Sequence, residues 1–117
     1  MIMGFHHTGI ATKNLDRLSR FYIDLFHGSV LNRFAWDADN LELSQRLGLA
    51  SSSGRLVMIG FENARLELFQ FDTPDVAGNE APRSVAKPGF SHICFQVDDC
   101  WEEYERLHAA GMAFLNG

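Results

Sequence analysis

Two stretches of this 117-residue chain repeat one another, and each carries a histidine at the matching place. Phe5-His6-His7-Thr8-Gly9-Ile10-Ala11-Thr12 aligns with Phe90-Ser91-His92-Ile93-Cys94-Phe95-Gln96-Val97, setting His7 against His92 at an offset of 85 positions (92 minus 7). Polar residues follow both, Lys13-Asn14 in one copy and Asp98-Asp99 in the other, and then apolar side chains at helical spacing. A strand-then-helix unit used twice restricts the fold sharply. The copies are expected to meet at a pseudo-symmetric seam with one imidazole from each, a place suited to a metal ion.

The remaining pattern gives the expected elements. Residues 4–12 read as a strand, and Asn14 caps a helix in which Leu15, Leu18, Tyr22, Leu25 and Phe26 share a face as far as His27. Gly28 is expected to end that helix. Strands are predicted over 29–36, 55–61 and 64–71, with Glu62-Asn63 as the hairpin turn between the last two. The intervening 37–54 is polar apart from Leu41, Leu43, Leu47 and Leu49, and is expected to form a short helix or a lid. All three prolines fall within 72–88, which reads as a linker. Beyond it come a strand over 90–97 and a helix started by Asp98 or Asp99 and stopped by Gly111. A further strand begins at 112–115. Trp101, Tyr104, Leu107 and, in the first half, Tyr22 are expected in the core. The expected fold is α+β, a single domain over 1–117. It holds a β-α-β-β-β module (4–71), the linker (72–88) and a second module (89–117) that stops after β-α-β.

Composition narrows the partners. A net charge of −5 without any basic run argues against nucleic acid or an anionic membrane surface. No stretch approaches the roughly 18 apolar residues of a membrane span, and the N-terminus lacks the apolar region of a signal peptide. Two cysteines, Cys94 and Cys100, suit a reduced, cytoplasmic protein, and both are expected to be buried or half-buried thiols.

Strand side chains alternate between faces, and that alternation selects a site. Ile93, Phe95 and Val97 form an apolar face, so His92 points the other way and, by the repeat, so does His7, beside the small Gly9 and Ala11. In the fourth strand Leu66 and Leu68 take the core face, leaving Glu67 on the cavity side with Phe69 and Phe71. A carboxylate among aromatics is costly to bury unpaired. Two imidazoles and one carboxylate form a ligand set for Fe, Ni, Zn or Mn. Plainer readings stand beside this one: structural histidines, and Glu67 paired with Arg65 or Arg83. His6 has the wrong parity for the cavity and becomes a ligand only if the register slips by one.

These motifs, His-Thr-Gly-Ile at 7–10, Leu-Glu-Leu at 66–68 and Ser-His-Ile-Cys-Phe-Gln-Val-Asp-Asp at 91–99, resemble the glyoxalase / bleomycin-resistance / extradiol-dioxygenase superfamily, the vicinal oxygen chelate proteins. The resemblance covers nearly the whole chain in the right order. It implies paired βαβββ modules forming a curved mixed sheet around a cavity that holds one divalent metal ion, and commonly a homodimer. It also implies His7, Glu67 and His92 as metal ligands. The repeat offset puts the partner of Glu67 near position 152 (67 plus 85), beyond Gly117. The second module is therefore expected to be an incomplete piece of a longer one.

Three functions follow from the resemblance. The first is a metal-dependent lyase or isomerase of the glyoxalase I type, acting on a small molecule with adjacent oxygens through an enediolate, with Glu67 as catalytic base. The second is a non-haem iron ring-cleaving dioxygenase, which the position of Glu67 on the fourth strand disfavours. The third is a metal-free protein that binds an antibiotic-like ligand in a cavity lined by Phe34, Trp36, Phe69 and Phe71.

Overall fold

A computed structural model describes residues 1–78 and 82–115 and divides the chain into two compact units, 1–78 and 79–117. In the first unit the chain runs through β1 (Thr8–Ala11), α1 (Leu15–Arg20), β2 (Ser29–Trp36), α2 (Leu41–Arg46), β3 (Ser53–Gly60) and β4 (Arg65–Thr73). The strands make one curved, open, mixed sheet in the order β1-β4-β3-β2. β1 lies parallel to β4, with Gly9 opposite Glu67, and the other neighbours are antiparallel. This is the α+β class expected from the sequence, with the helix of the 37–54 insert formed as α2.

The core lies between α1 and one face of the sheet. Leu15, Val57, Ile59, Leu66 and Leu68 are all buried there, together with Tyr22. Burial also pushes the Tyr22 phenol above its ordinary pKa. Asn14 caps α1 by accepting from the Arg17 N–H at 3.0 Å. The helix is pinned to the sheet by Gln70, whose Oε1 accepts from the Leu15 N–H at 2.9 Å, and by Arg55, which grips the Asp16 carboxylate at 3.0 and 3.2 Å. That guanidinium, by hydrogen bond first and charge second, holds the Asp16 carboxyl below its usual value. A depressed native pKa means stability present above the unfolded value of about 3.9 and lost as pH falls through the lower native one. Asp16→Asn is therefore expected to narrow the difference in urea midpoint between about pH 7 and about pH 3. An unchanged difference would show that the exposed pair contributes nothing.

The end of the first helix departs from expectation. After Arg20 the chain widens into a π-helical turn over Phe21–Leu25. His27, not Gly28, takes the left-handed conformation, with φ of 57°. Gly28 is required for a different reason: a Cβ there would lie 2.5 Å from Ile59 Cγ2 and 3.1 Å from the Phe61 ring.

In the second unit, α3 (Cys100–Ala109) starts at Asp99, whose carboxylate accepts from the Trp101 and Glu102 N–H groups at 2.9 and 3.0 Å. It ends at Gly111, with φ of 89°. Leu107 is buried, whereas Trp101 is 68% exposed and stacks on Tyr104, which also meets Phe114. The core position expected for Trp101 is thus not observed. Nor are the strands expected over 90–97 and 112–115, where no described residue carries strand pairing. A strand is held by a hydrogen-bonded neighbour, and an apolar alternation by itself does not supply one. With that strand unformed, Cys94 and Cys100 are free and exposed rather than buried. Among the described residues no helix is long and apolar enough to cross a membrane.

Candidate functional site

β1 and β4 bring the candidate pair together. The parallel register sets Thr8, Gly9, Ile10 and Ala11 against Leu66, Glu67, Leu68 and Phe69. Because Leu66 and Leu68 are buried against α1, Glu67 and Phe69 project from the opposite face, as the alternation predicts. Gly9 adds no side chain beside Glu67. His7 immediately precedes β1, and its Nε2 stands 3.6 Å from Glu67 Oε1, with the side chains 36% and 19% exposed. That separation is beyond a hydrogen bond. On its other side, His7 Nδ1 meets His6 Nδ1 at 2.7 Å, the rings nearly perpendicular.

A nitrogen and an oxygen donor facing one another across 3.6 Å suit a shared divalent cation. Donors at about 2.0–2.2 Å from such an ion sit roughly 3–3.6 Å apart at right to tetrahedral angles. His7 and Glu67 therefore fit part of the implied metal site. Among the described residues, no group of three His, Cys, Asp or Glu side chains is assembled to hold an ion. His92 is exposed in its own unit, with Nδ1 2.8 Å from Ser91 Oγ. Among the described residues the alternative partners for Glu67 are not taken up, and its carboxylate stands beside His7. Arg83 gives its guanidinium N–H groups to the carbonyls of Lys87, Pro88 and Phe90.

The four aromatic residues expected to line a cavity do cluster. Phe34 stacks on Trp36, Phe69 stacks on Phe71, and the Trp36 ring meets both phenylalanines of β4 edge-on at 6.4 and 5.6 Å. The register puts all four on the face that carries Glu67, since Phe34 pairs with Leu56 and Leu56 with Phe69, while Trp36 pairs with Gly54 and Gly54 with Phe71. Phe34 is 44% exposed, and Trp36 only 7%. An open depression lined by His27, Leu31, Phe61, Glu62 and Arg65 includes none of these groups.

What the sequence reading missed is how this wall is held. Trp36 Nε1–H donates to Ser52 Oγ at 3.0 Å, Ser52 Oγ lies 2.8 Å from Ser44 Oγ, and Ser44 Oγ lies 3.2 Å from the Asn40 carbonyl. The indole only donates and the carbonyl only accepts, so the chain runs one way: Trp36 to Ser52 to Ser44 to Asn40. Both serines are fully buried, and the Ser52 N–H also donates to Ser44 Oγ at 2.9 Å. These bonds fasten α2 and the segment after it to the end of β2. The available signal was slight: one serine among the leucines of the insert, and one within the Ser51-Ser52-Ser53 run.

Comparison with known proteins bears on the fold and the family. A lactoylglutathione lyase of Schizosaccharomyces pombe is 29% identical over 120 residues, covering 93% of this chain and 37% of that protein; the chain thus spans little more than a third of this curated relative. A glyoxalase family protein from Bacillus cereus superposes with a TM-score of 0.82 at 21% identity, covering 95% of this chain and 74% of that one. The fosfomycin resistance protein FosX of Listeria monocytogenes gives 0.57 at 17% identity, covering 97% and 74%. A mutant of FosX has been solved with Mn(II) and 1S,2S-dihydroxypropylphosphonic acid. The likeness to these structures is one of fold. A family model matches residues 4–117, and by that match the chain belongs to the glyoxalase/bleomycin resistance protein/dioxygenase superfamily.

Proposed function

We propose that this chain carries part of the active site of a metal-dependent lyase or isomerase acting on a small molecule with two adjacent oxygens. The observation that supports the reading is the His7–Glu67 pair, held 3.6 Å apart by the β1–β4 register without a hydrogen bond between them. A divalent ion (Ni, Zn, Fe or Mn) held there supplies Lewis-acid polarisation of the substrate oxygens. His7 contributes a neutral nitrogen. Glu67 contributes a carboxylate that balances charge and accepts a proton from the carbon beside those oxygens. Phe69, on the same face of β4 as Glu67, provides an apolar neighbour for the pair. His92 enters the proposal through the sequence repeat, and the soluble, cytoplasmic homodimer expected from the sequence belongs to the same reading.

The test is metal content by elemental mass spectrometry after reconstitution, on the wild type and on His7→Ala, Glu67→Gln and His92→Ala. Near-stoichiometric metal in the wild type is expected. Apparent affinity should fall more than about 100-fold in the first two variants, since losing a ligand exceeds the 10–100-fold cost of losing a residue that supports one. Retention in His92→Ala would remove His92 from the ligand set. A wild type that takes up no metal would overturn the proposal in favour of a second reading, which the stacked aromatic pairs support: a metal-free protein that sequesters a flat small molecule against Phe34, Trp36, Phe69 and Phe71.

A further inference from the structure

His6 precedes β1, and its Nδ1 stands 2.7 Å from the Nδ1 of His7. Two imidazole nitrogens 2.7 Å apart hold one proton between them, so one Nδ1 donates and the other accepts. The direction follows from the opposite side of the His7 ring. If His6 donated, His7 would keep its own proton on Nε2, and that N–H would close on the Glu67 carboxylate to the roughly 2.7–2.9 Å of a charge-assisted bond. The observed separation is 3.6 Å. If His7 donates from Nδ1, its Nε2 carries a lone pair directed at a carboxylate, and two such acceptors stand apart unless a cation joins them.

We infer that His6 is a positioning residue: by accepting the Nδ1 proton of His7, it fixes the His7 tautomer and ring orientation in which Nε2 is open toward Glu67. The inference deepens the metal reading and rests on it for its purpose, though not for its geometry. A histidine whose second nitrogen is fixed by a hydrogen bond is oriented before the ion arrives, and that orientation would otherwise be set at the moment of binding. The rings are nearly perpendicular, with centroids 5.0 Å apart, and a flip of the His7 ring would carry its Nδ1 away from His6.

Long-range proton–nitrogen NMR correlation reads the imidazole tautomer directly. It would be recorded on the chelator-treated full chain at about pH 8, above the ordinary histidine pKa of about 6.5. The wild type is expected to show His7 protonated on Nδ1, His6→Ala to shift it toward Nε2, and His6→Asn to restore it through the side-chain carbonyl. Nickel or zinc titration of the same three proteins should show affinity lowered about 10–100-fold in His6→Ala and partly recovered in His6→Asn. His6 is exposed and precedes β1, so thermal unfolding is expected to be unchanged and serves as the control. A His7 tautomer indifferent to His6→Ala, or protonated on Nε2 in the wild type, would overturn the inference. A His6-dependent tautomer in a wild type that binds neither metal would instead uphold the inference and overturn the metal reading.

Discussion

Leu68→Ala is expected to lower the stability of the chain by about 2–5 kcal/mol, read as a fall in the urea midpoint. Leu68 is completely buried, and it sits where three strands meet, opposite Ile10 of β1 and Val57 of β3. Truncation removes transfer free energy and leaves a cavity that backbone paired on both sides cannot easily collapse to fill. The variant also tests the alternation on which the site rests, because Leu68 and Glu67 are consecutive residues directed to opposite faces of β4. A loss below about 1 kcal/mol, little more than one buried methylene is worth, would place Leu68 outside a closed core and Glu67 off the open face. Phe34→Ala provides the contrast, since Phe34 is 44% exposed and a smaller loss is expected.

Ser52→Ala is expected to cost about 1–3 kcal/mol, although it removes a single oxygen. That oxygen accepts the Trp36 indole proton and bonds the Ser44 hydroxyl, so its loss leaves the buried Trp36 N–H without its acceptor, while Ser44 Oγ keeps the Ser52 N–H and the Asn40 carbonyl. The chain has two tryptophans, so the measurement is clean in a Trp101→Phe background, where Trp36 is the only indole. Emission from Trp36 should shift to the red and weaken as the end of β2 loosens from α2. Ser51→Ala, at an exposed neighbouring position, should change stability by no more than about 0.5 kcal/mol. Unchanged emission in Ser52→Ala would mean that packing against Phe69 and Phe71, not the hydroxyl chain, holds the indole.

The two predictions mark what was and was not legible in the sequence. Period-two alternation in β4 placed Leu66 and Leu68 in the core and Glu67 on the open face, because a one-residue slip would have exposed both leucines. β2 was read with its observed bounds, and Asn14, Asp99 and Gly111 act at the helix ends where their chemistry suggests. Gly28 was identified as special for the wrong reason. A local pattern reveals a helix stop but not the approach of Ile59, which comes from thirty-one residues further on (59 minus 28). The 90–97 strand failed in the same way, since alternation reports a tendency to pair and says nothing of whether a partner strand is present. The Trp36–Ser52–Ser44 chain lay beyond reach because serine is so often a solvated loop residue, and only the tertiary contact distinguishes these two. Strand parity gave His6 no place beside Glu67. Its contact with His7 arises before β1 begins, where strand parity no longer applies.

The β1–β4 pairing has one more consequence, for the order in which the molecule comes together. His7 and Glu67 are 60 positions apart (67 minus 7), so β1 and the His7 before it have no partner in the sheet until β4 has been made and docked. The pair exists only once β1 has docked on β4. Any ligand held jointly by the two side chains acts as a clasp across that loop. At a hundredfold excess over its dissociation constant it would stabilise the paired sheet by about 2.7 kcal/mol. Occupancy of such a site would report, on a newly made chain, that β4 has found β1.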